Sequence, residues 1–181
     1  ASASWTVNVK AGNYFASDLS VNKDGLTILG EGYSTTTITG DHLLSGANTL
    51  IFGADNCTVK HVTITRDGNN TSDWASNPKS QGVIFSQAKT GNVLEYCRVT
   101  QNRNAVYLNN TQTNIIRNNI ITDNRTGIQF ANNVSGNQLL NNEISNNWTM
   151  GILYNFDAGF PTSSITVKDN SIFGNWYAQI V

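Results

Sequence analysis

Short apolar alternations recur at a steady interval through the C-terminal half of the chain, each closed by Asn or Gly. "NVLEYCRVTQNRNAVYL" from Asn92, "NIIRNNIITDNRTGIQF" from Asn114, "NQLLNNEISNNWTMGILY" from Asn137 and "ITVKDNSIFGNWYAQIV" from Ile165 can be laid on one another, with steps of 22, 23 and 28 residues between their starts. An earlier segment, "CTVKHVTITR" from Cys57, joins this alignment and then runs through a long insert to "GVIF" at Gly82. One apolar column holds Val59, Leu94, Ile116, Leu139 and Val167; another holds Ile64, Val99, Ile121, Ile144 and Ile172. Period-two alternation in short runs bounded by Asn and Gly predicts short strands joined by tight bends. Helix is disfavoured, because Asn and β-branched residues dominate and no 3.6-residue period persists. A repeat of this length with three strands in it meets the demand of a parallel β-helix, where each strand pairs with its equivalent one coil away, at about 4.8 Å. The expected architecture is all-β: a solenoid of about six or seven coils, one domain over residues 1–181 with a loop insertion at 67–80.

Stacking of like residues gives the Asn a reason. Cys97, Asn119, Asn142 and Asn170 fall in one column at a bend. Asn tolerates the left-handed backbone of a bend, and its amide can bond the backbone or the Asn above and below, so Asn119, Asn142 and Asn170 are expected to form a structural ladder. Such a ladder satisfies polar groups that a buried turn would otherwise leave unpaired. Cys57 and Cys97 lie in columns five positions apart on adjacent coils, too far for a bridge, and are expected to be unbonded thiols.

Composition sharpens this picture. The chain has 27 Asn among 181 residues, while charged residues are only 13%, against about 25% in an ordinary domain. The net charge of −1 supplies no field for nucleic acid, and no apolar run approaches a membrane span. The opening "ASAS" looks like the remnant of a small-residue cleavage site, which points to an exported, extracellular or cell-surface protein.

The N-terminal part, "WTVNVKAGNYFASDLSVNKDGLTILGEGYSTTTITG" from Trp5 to Gly40, resembles the opening coils of the pectin lyase-like superfamily. The pieces that match are "VNVKAGNY", "LTILGEG" and "TTTITG". The resemblance implies right-handed winding, and it extends with the Asn-rich coils over nearly the whole chain. It does not choose a function, since that superfamily includes lyases, hydrolases, esterases, epimerases, adhesins and tailspikes. Superfamily members usually carry an amphipathic helix before the first strand. Here the chain enters a strand at Trp5 and stops within the apolar "NWYAQIV", so both ends are expected to be uncapped.

Enzymes of the superfamily usually work over the first strand of each coil. In "VIF", "VYL", "IQF" and "ILY" the central residue points outward, and with Ile51 the outward set is Ile51, Ile84, Tyr107, Gln129 and Leu153. This set holds no acid, base or metal ligand, whereas acid–base or metal-assisted chemistry needs ionisable groups converging on one point. The paired Asp and Gly-His-Gly motifs of polygalacturonases and the Asp-Pro-His-Asp of mannuronan epimerases do not occur. Asp55, Asp67, Asp73, Asp123, Asp157 and Asp169 are scattered, and neither His42 nor His61 has a second ligand at fixed spacing, so no metal, cofactor or catalytic residue is expected. Arg103, Arg125, Trp148 and Trp176 align at the third bend as a candidate strip for sugar or protein, and Trp74 of the insert is a candidate cover for the apolar outward face.

These observations favour a non-catalytic, extracellular structural protein that stacks head to tail into a filament or surface layer. Its interface would comprise Trp5, Val7 and Val9 at one end and Trp176, Ile180 and Val181 at the other, with Ile51, Ile84, Tyr107 and Leu153 as a lateral contact. The alternative is part of a polysaccharide-active enzyme, or a glycan-binding module. The expected partner is the chain itself, with a polysaccharide as the other candidate.

Overall fold

Apolar residues at alternate positions build the strands observed. The computed structural model describes residues 5–41, 47–69, 81–155 and 164–181. Among these residues there are 21 strands and no helix. The strands fall into three seven-stranded sheets, and every neighbour in a sheet lies three strands away in sequence. Sheet A runs from Trp5–Val9 to Thr166–Lys168, sheet B from Gly12–Phe15 to Ser171–Phe173, and sheet C from Leu19–Val21 to Ala178–Ile180. The chain thus passes A, B, C and then A again one rung further on, with parallel pairing throughout. Seven rungs agree with the six or seven expected.

Register follows the sequence columns. Val59, Leu94, Ile116, Leu139 and Val167 are paired in that order along sheet A, as are Ile64, Val99, Ile121, Ile144 and Ile172 along sheet B. Their side chains point into a shared core that also holds the stacked rings of Phe52 and Phe85, 4.6 Å apart. Each Val, Leu, Ile or Phe buried in this way is worth about 1.5–3 kcal/mol. The outer face of sheet A carries its own register lock. Arg117 donates to Glu95 Oε2 from Nε at 2.8 Å and Nη2 at 2.7 Å, and Lys60 Nζ lies 3.6 Å from Oε1, so charges alternate over three successive rungs.

The bends between sheets A and B use two adjacent residues for two separate tasks. His61, Tyr96, Asn118, Asn141 and Asp169 take the left-handed conformation, with φ between 52° and 58°. The residue after each turns inward, and from Cys97 onward it forms the expected ladder: Cys97 N donates to Asn119 Oδ1 at 2.9 Å, Asn119 N to Asn142 Oδ1 at 3.1 Å and Asn142 N to Asn170 Oδ1 at 2.9 Å. The sequence reading gave both tasks to one Asn; the structure divides them between neighbours.

Two further ladders accompany it. Before sheet A, backbone N–H groups of Cys57, Asn92 and Asn114 donate to Oδ1 of Asn92, Asn114 and Asn137. Between sheets B and C, those of Asn102, Asn124 and Asn147 donate to Oδ1 of Asn124, Asn147 and Asn175. Both cysteines are free, buried and stand at the first rung of a ladder. Cys97 Sγ lies 3.3 Å from the Glu95 carbonyl two residues back, the place that Asn124 Nδ2 takes against Thr122 O at 2.9 Å. Burial pushes the Cys97 thiol up to about 12, which keeps it protonated as a donor.

Candidate functional site

The third corner, between sheets B and C, projects side chains outward in a fixed rhythm. A left-handed residue (Gln101, Asp123, Asn146 or Gly174) is followed by the inward ladder residue and then by an outward one. The outward residues are Arg103, Arg125, Trp148 and Trp176, locked in register by backbone bonds such as Arg125 N to Asn102 O at 3.0 Å and Trp176 N to Asn147 O at 3.0 Å. The indoles of Trp148 and Trp176 stack with centroids 5.6 Å apart and planes 13° from parallel. Trp176 is 72% exposed. Arg103 and Arg125 are each half-buried. Burial, and secondarily the Arg125 charge beside it, lowers the Arg103 pKa.

Next to this corner, the outer face of sheet B forms an open groove of about 1040 Å³. It reaches from Tyr33 and Ser34 to Trp148 and Trp176, with Thr37, Thr63, Thr65 and Thr100 along it. Pairing sets Thr39 beside Thr65, and Thr100, Thr122, Ser145 and Phe173 in sequence, on the outer side of sheet B; of these Thr65 and Thr100 line the groove, while Thr122 and Ser145 are buried. Thr122, Ser145 and Glu143 are joined by Ser145 Oγ, which donates to Glu143 Oε1 at 2.9 Å and lies 3.4 Å from Thr122 Oγ1. The charged pair on the groove is Arg98 and Asp123, separated by 4.0 Å and both well exposed. Hydroxyls and amides set between aromatic rims offer hydrogen bonds and flat apolar faces, the two things a sugar ring presents in return.

The sequence reading sought a site over sheet C. There Ile51, Ile84, Tyr107, Gln129 and Leu153 do line up as an outward, half-buried column, and Gln129 Oε1 accepts from Asn104 Nδ2 at 2.8 Å. The groove on sheet B was missed. Its signal was present in the alternating Thr of "TTTITG" and "VTITR", which continue into Thr100. Asn119, Asn142 and Asn170 lie in their ladder away from this groove, and Trp5, Val7, Val9, Ile180 and Val181 lie on the two terminal rungs. Trp74 and His42 fall outside the described residues. Among the described residues, no group of three or more His, Cys, Asp or Glu is placed to hold a metal ion, and no helix is long and apolar enough to cross a membrane.

Residues 8–172 match the model of the right handed beta helix region. The chain belongs to this right-handed β-helix family. No curated protein sequence matches it. Solved structures share the fold at low identity. Pectin methylesterase PemA from Erwinia chrysanthemi aligns with a TM-score of 0.57 at 11% identity, covering 88% of this chain and 59% of that one. A variant of the periplasmic alginate epimerase AlgG aligns at 0.60 with 16% identity, covering 98% and 45%. The A-module of mannuronan C-5 epimerase AlgE4 from Azotobacter vinelandii aligns at 0.54 with 16% identity, covering 95% and 63%. This chain therefore spans between about half and two thirds of the length of these β-helix neighbours, whose names are those of polysaccharide-active enzymes.

Proposed function

We propose that this chain is an extracellular β-helix that binds a linear polysaccharide lengthwise along sheet B, without turning it over. The observation that carries the reading is the stacked Trp148–Trp176 pair on the rim of a hydroxyl-lined groove. The groove runs along the solenoid axis, so an extended polymer meets similar donors and acceptors at each rung. The naming of the fold neighbours as pectin and alginate enzymes supports a polysaccharide ligand. Binding without turnover is favoured because, among the described residues, the charged groups lining the groove are one loose pair, Arg98 and Asp123, and acid–base chemistry needs groups that converge. The test is affinity electrophoresis through gels containing a panel of neutral and acidic polysaccharides. Trp148→Ala or Trp176→Ala should weaken binding by about tenfold, the effect of losing a contact worth roughly 1.4 kcal/mol. A wild-type protein that no polymer retards would end this reading.

A second reading is head-to-tail association of copies of this chain into a filament or layer, in which the first rung of one copy covers the last rung of the next. Val7 and Val167 belong to inward-facing columns yet are 50% and 39% exposed, because a rung covers each on one side only. A further coil of the same geometry would complete them.

A further inference from the structure

We propose that Arg103 and Arg125 form an anion subsite that takes the carboxylate or sulfate groups of an acidic polysaccharide; this rests on the glycan-binding reading above. The two residues occupy the same column one rung apart, and adjacent rungs are separated by about 4.8 Å. Their guanidinium groups are half-buried and close enough for the charge of one to act on the other. Among the described residues, no acceptor is bonded to either guanidinium, and Arg125 Nε is buried without a partner. The chain's other arginines differ. Arg98 faces Asp123, Arg117 chelates Glu95, and Arg66 donates to backbone carbonyls of Asp41 and Ala47.

Two like charges on adjacent rungs and without a counter-ion oppose folding, and an anion bound between them would relieve that repulsion. The guanidinium fork matches an oxyanion with two parallel hydrogen bonds, and a pair of forks on successive rungs can hold one anionic group between them or two in sequence. The same column continues into Trp148 and Trp176. A polymer lying along the corner therefore meets indole faces over two rungs and guanidinium groups over the two before them. The Arg pair does not line the groove on sheet B; it extends the rim, which makes it a discriminating element separate from the groove's general affinity for sugar.

The experiment compares the wild-type protein with the double variant Arg103→Gln/Arg125→Gln in gels containing polygalacturonate, a sulfated galactan or a neutral glucan. The expected result is retardation of the wild type by one or both acidic polymers. Affinity should fall at least about tenfold in the double variant and fall likewise in about 0.5 M salt. Retardation by polygalacturonate alone identifies carboxylate as the ligand group, and by the galactan alone, sulfate. Removing the like-charge contact should leave the melting temperature of the double variant at or above that of the wild type. A lower melting temperature would mark the pair as structural and overturn the proposal. Arg103→Lys/Arg125→Lys, which keeps the charge and loses the fork, should fold and bind acidic polymer more weakly than the wild type; equal binding overturns the subsite. If the neutral glucan retards the wild type as strongly as the acidic polymers, and Trp148→Ala abolishes this, the glycan reading stands and the Arg subsite falls. If no polymer retards the wild type, both fall.

Discussion

At the bend between sheets A and B an Asn has one of two jobs, and the two stand side by side in sequence. Asn118 and Asn141 supply left-handed backbone at the bend between sheets A and B, whereas Asn119 and Asn142 supply a buried amide. Asn119 shows what the amide does: Oδ1 accepts from Cys97 N at 2.9 Å, while Nδ2 donates to Leu94 O and to Asn142 Oδ1, each at 3.0 Å. Asn119→Ala removes all three bonds and leaves the Cys97 N–H and the Leu94 carbonyl without these partners. It is expected to cost on the order of 1–3 kcal/mol per group left buried and unpaired. Asn141→Gly replaces an exposed residue whose φ is 54° by one that adopts that angle freely, and should change stability by less than about 0.5 kcal/mol. Urea unfolding of the two variants checks the division of labour, and equal losses would refute it.

Strands and their register were legible in the sequence because identical columns recur, and a column once found fixes three or four pairings together. What was not legible is where a corner is too tight for a side chain. Gly82, Ala105, Gly127 and Gly151 form one column at the start of the sheet C strands, in register with Gln179 on the last rung. A Cβ on Gly127 would lie 2.3 Å from the Gly151 carbonyl oxygen, and one on Gly151 would lie 2.7 Å from Asn175 Nδ2. The column is small because the backbone carbonyl of the next rung crowds it first and the third Asn ladder packs beside it. Two of the three ladders escaped the sequence reading for a related cause. Asn92, Asn114 and Asn137 open their coils and served to align them, so their burial was not weighed. Asn102, Asn124, Asn147 and Asn175 sit next to the Arg and Trp column, whose larger side chains drew the functional argument. Gly127→Ala forces backbone apart at this corner and should destabilise the protein by about 1–3 kcal/mol. Ala105→Gly, which only deletes a methyl from the same column, should cost about 1 kcal/mol. Denaturation midpoints in the opposite order would mean that the corner yields more easily than its contacts imply.

At the scale of the whole molecule the solenoid is a one-dimensional stack, in which each rung is stabilised by the rungs on either side. The groove on sheet B is a product of that stacking: no one rung makes it, and its Thr residues read locally as ordinary strand formers, so it emerged only once the register was known. The same logic makes the terminal rungs distinct from all others. Ile180 pairs with Ile152, which is fully buried, yet Ile180 itself is 52% exposed, as is Trp5 at the opposite end. Head-to-tail contact between copies of this chain, the second reading proposed above, would join two different surfaces, so it would be heterologous and repeat into an open filament rather than close as a dimer. Sedimentation velocity over a range of concentrations tests that reading, which expects this chain to grow into species larger than the monomer. Ile180→Lys places an ammonium group on the terminal rung, where the exposed position lets its long side chain reach water and spare the fold. That variant should keep the wild-type melting temperature and remain monomeric. A wild-type chain that stays monomeric at every concentration would remove the filament reading and leave polysaccharide binding along sheet B as the remaining proposal.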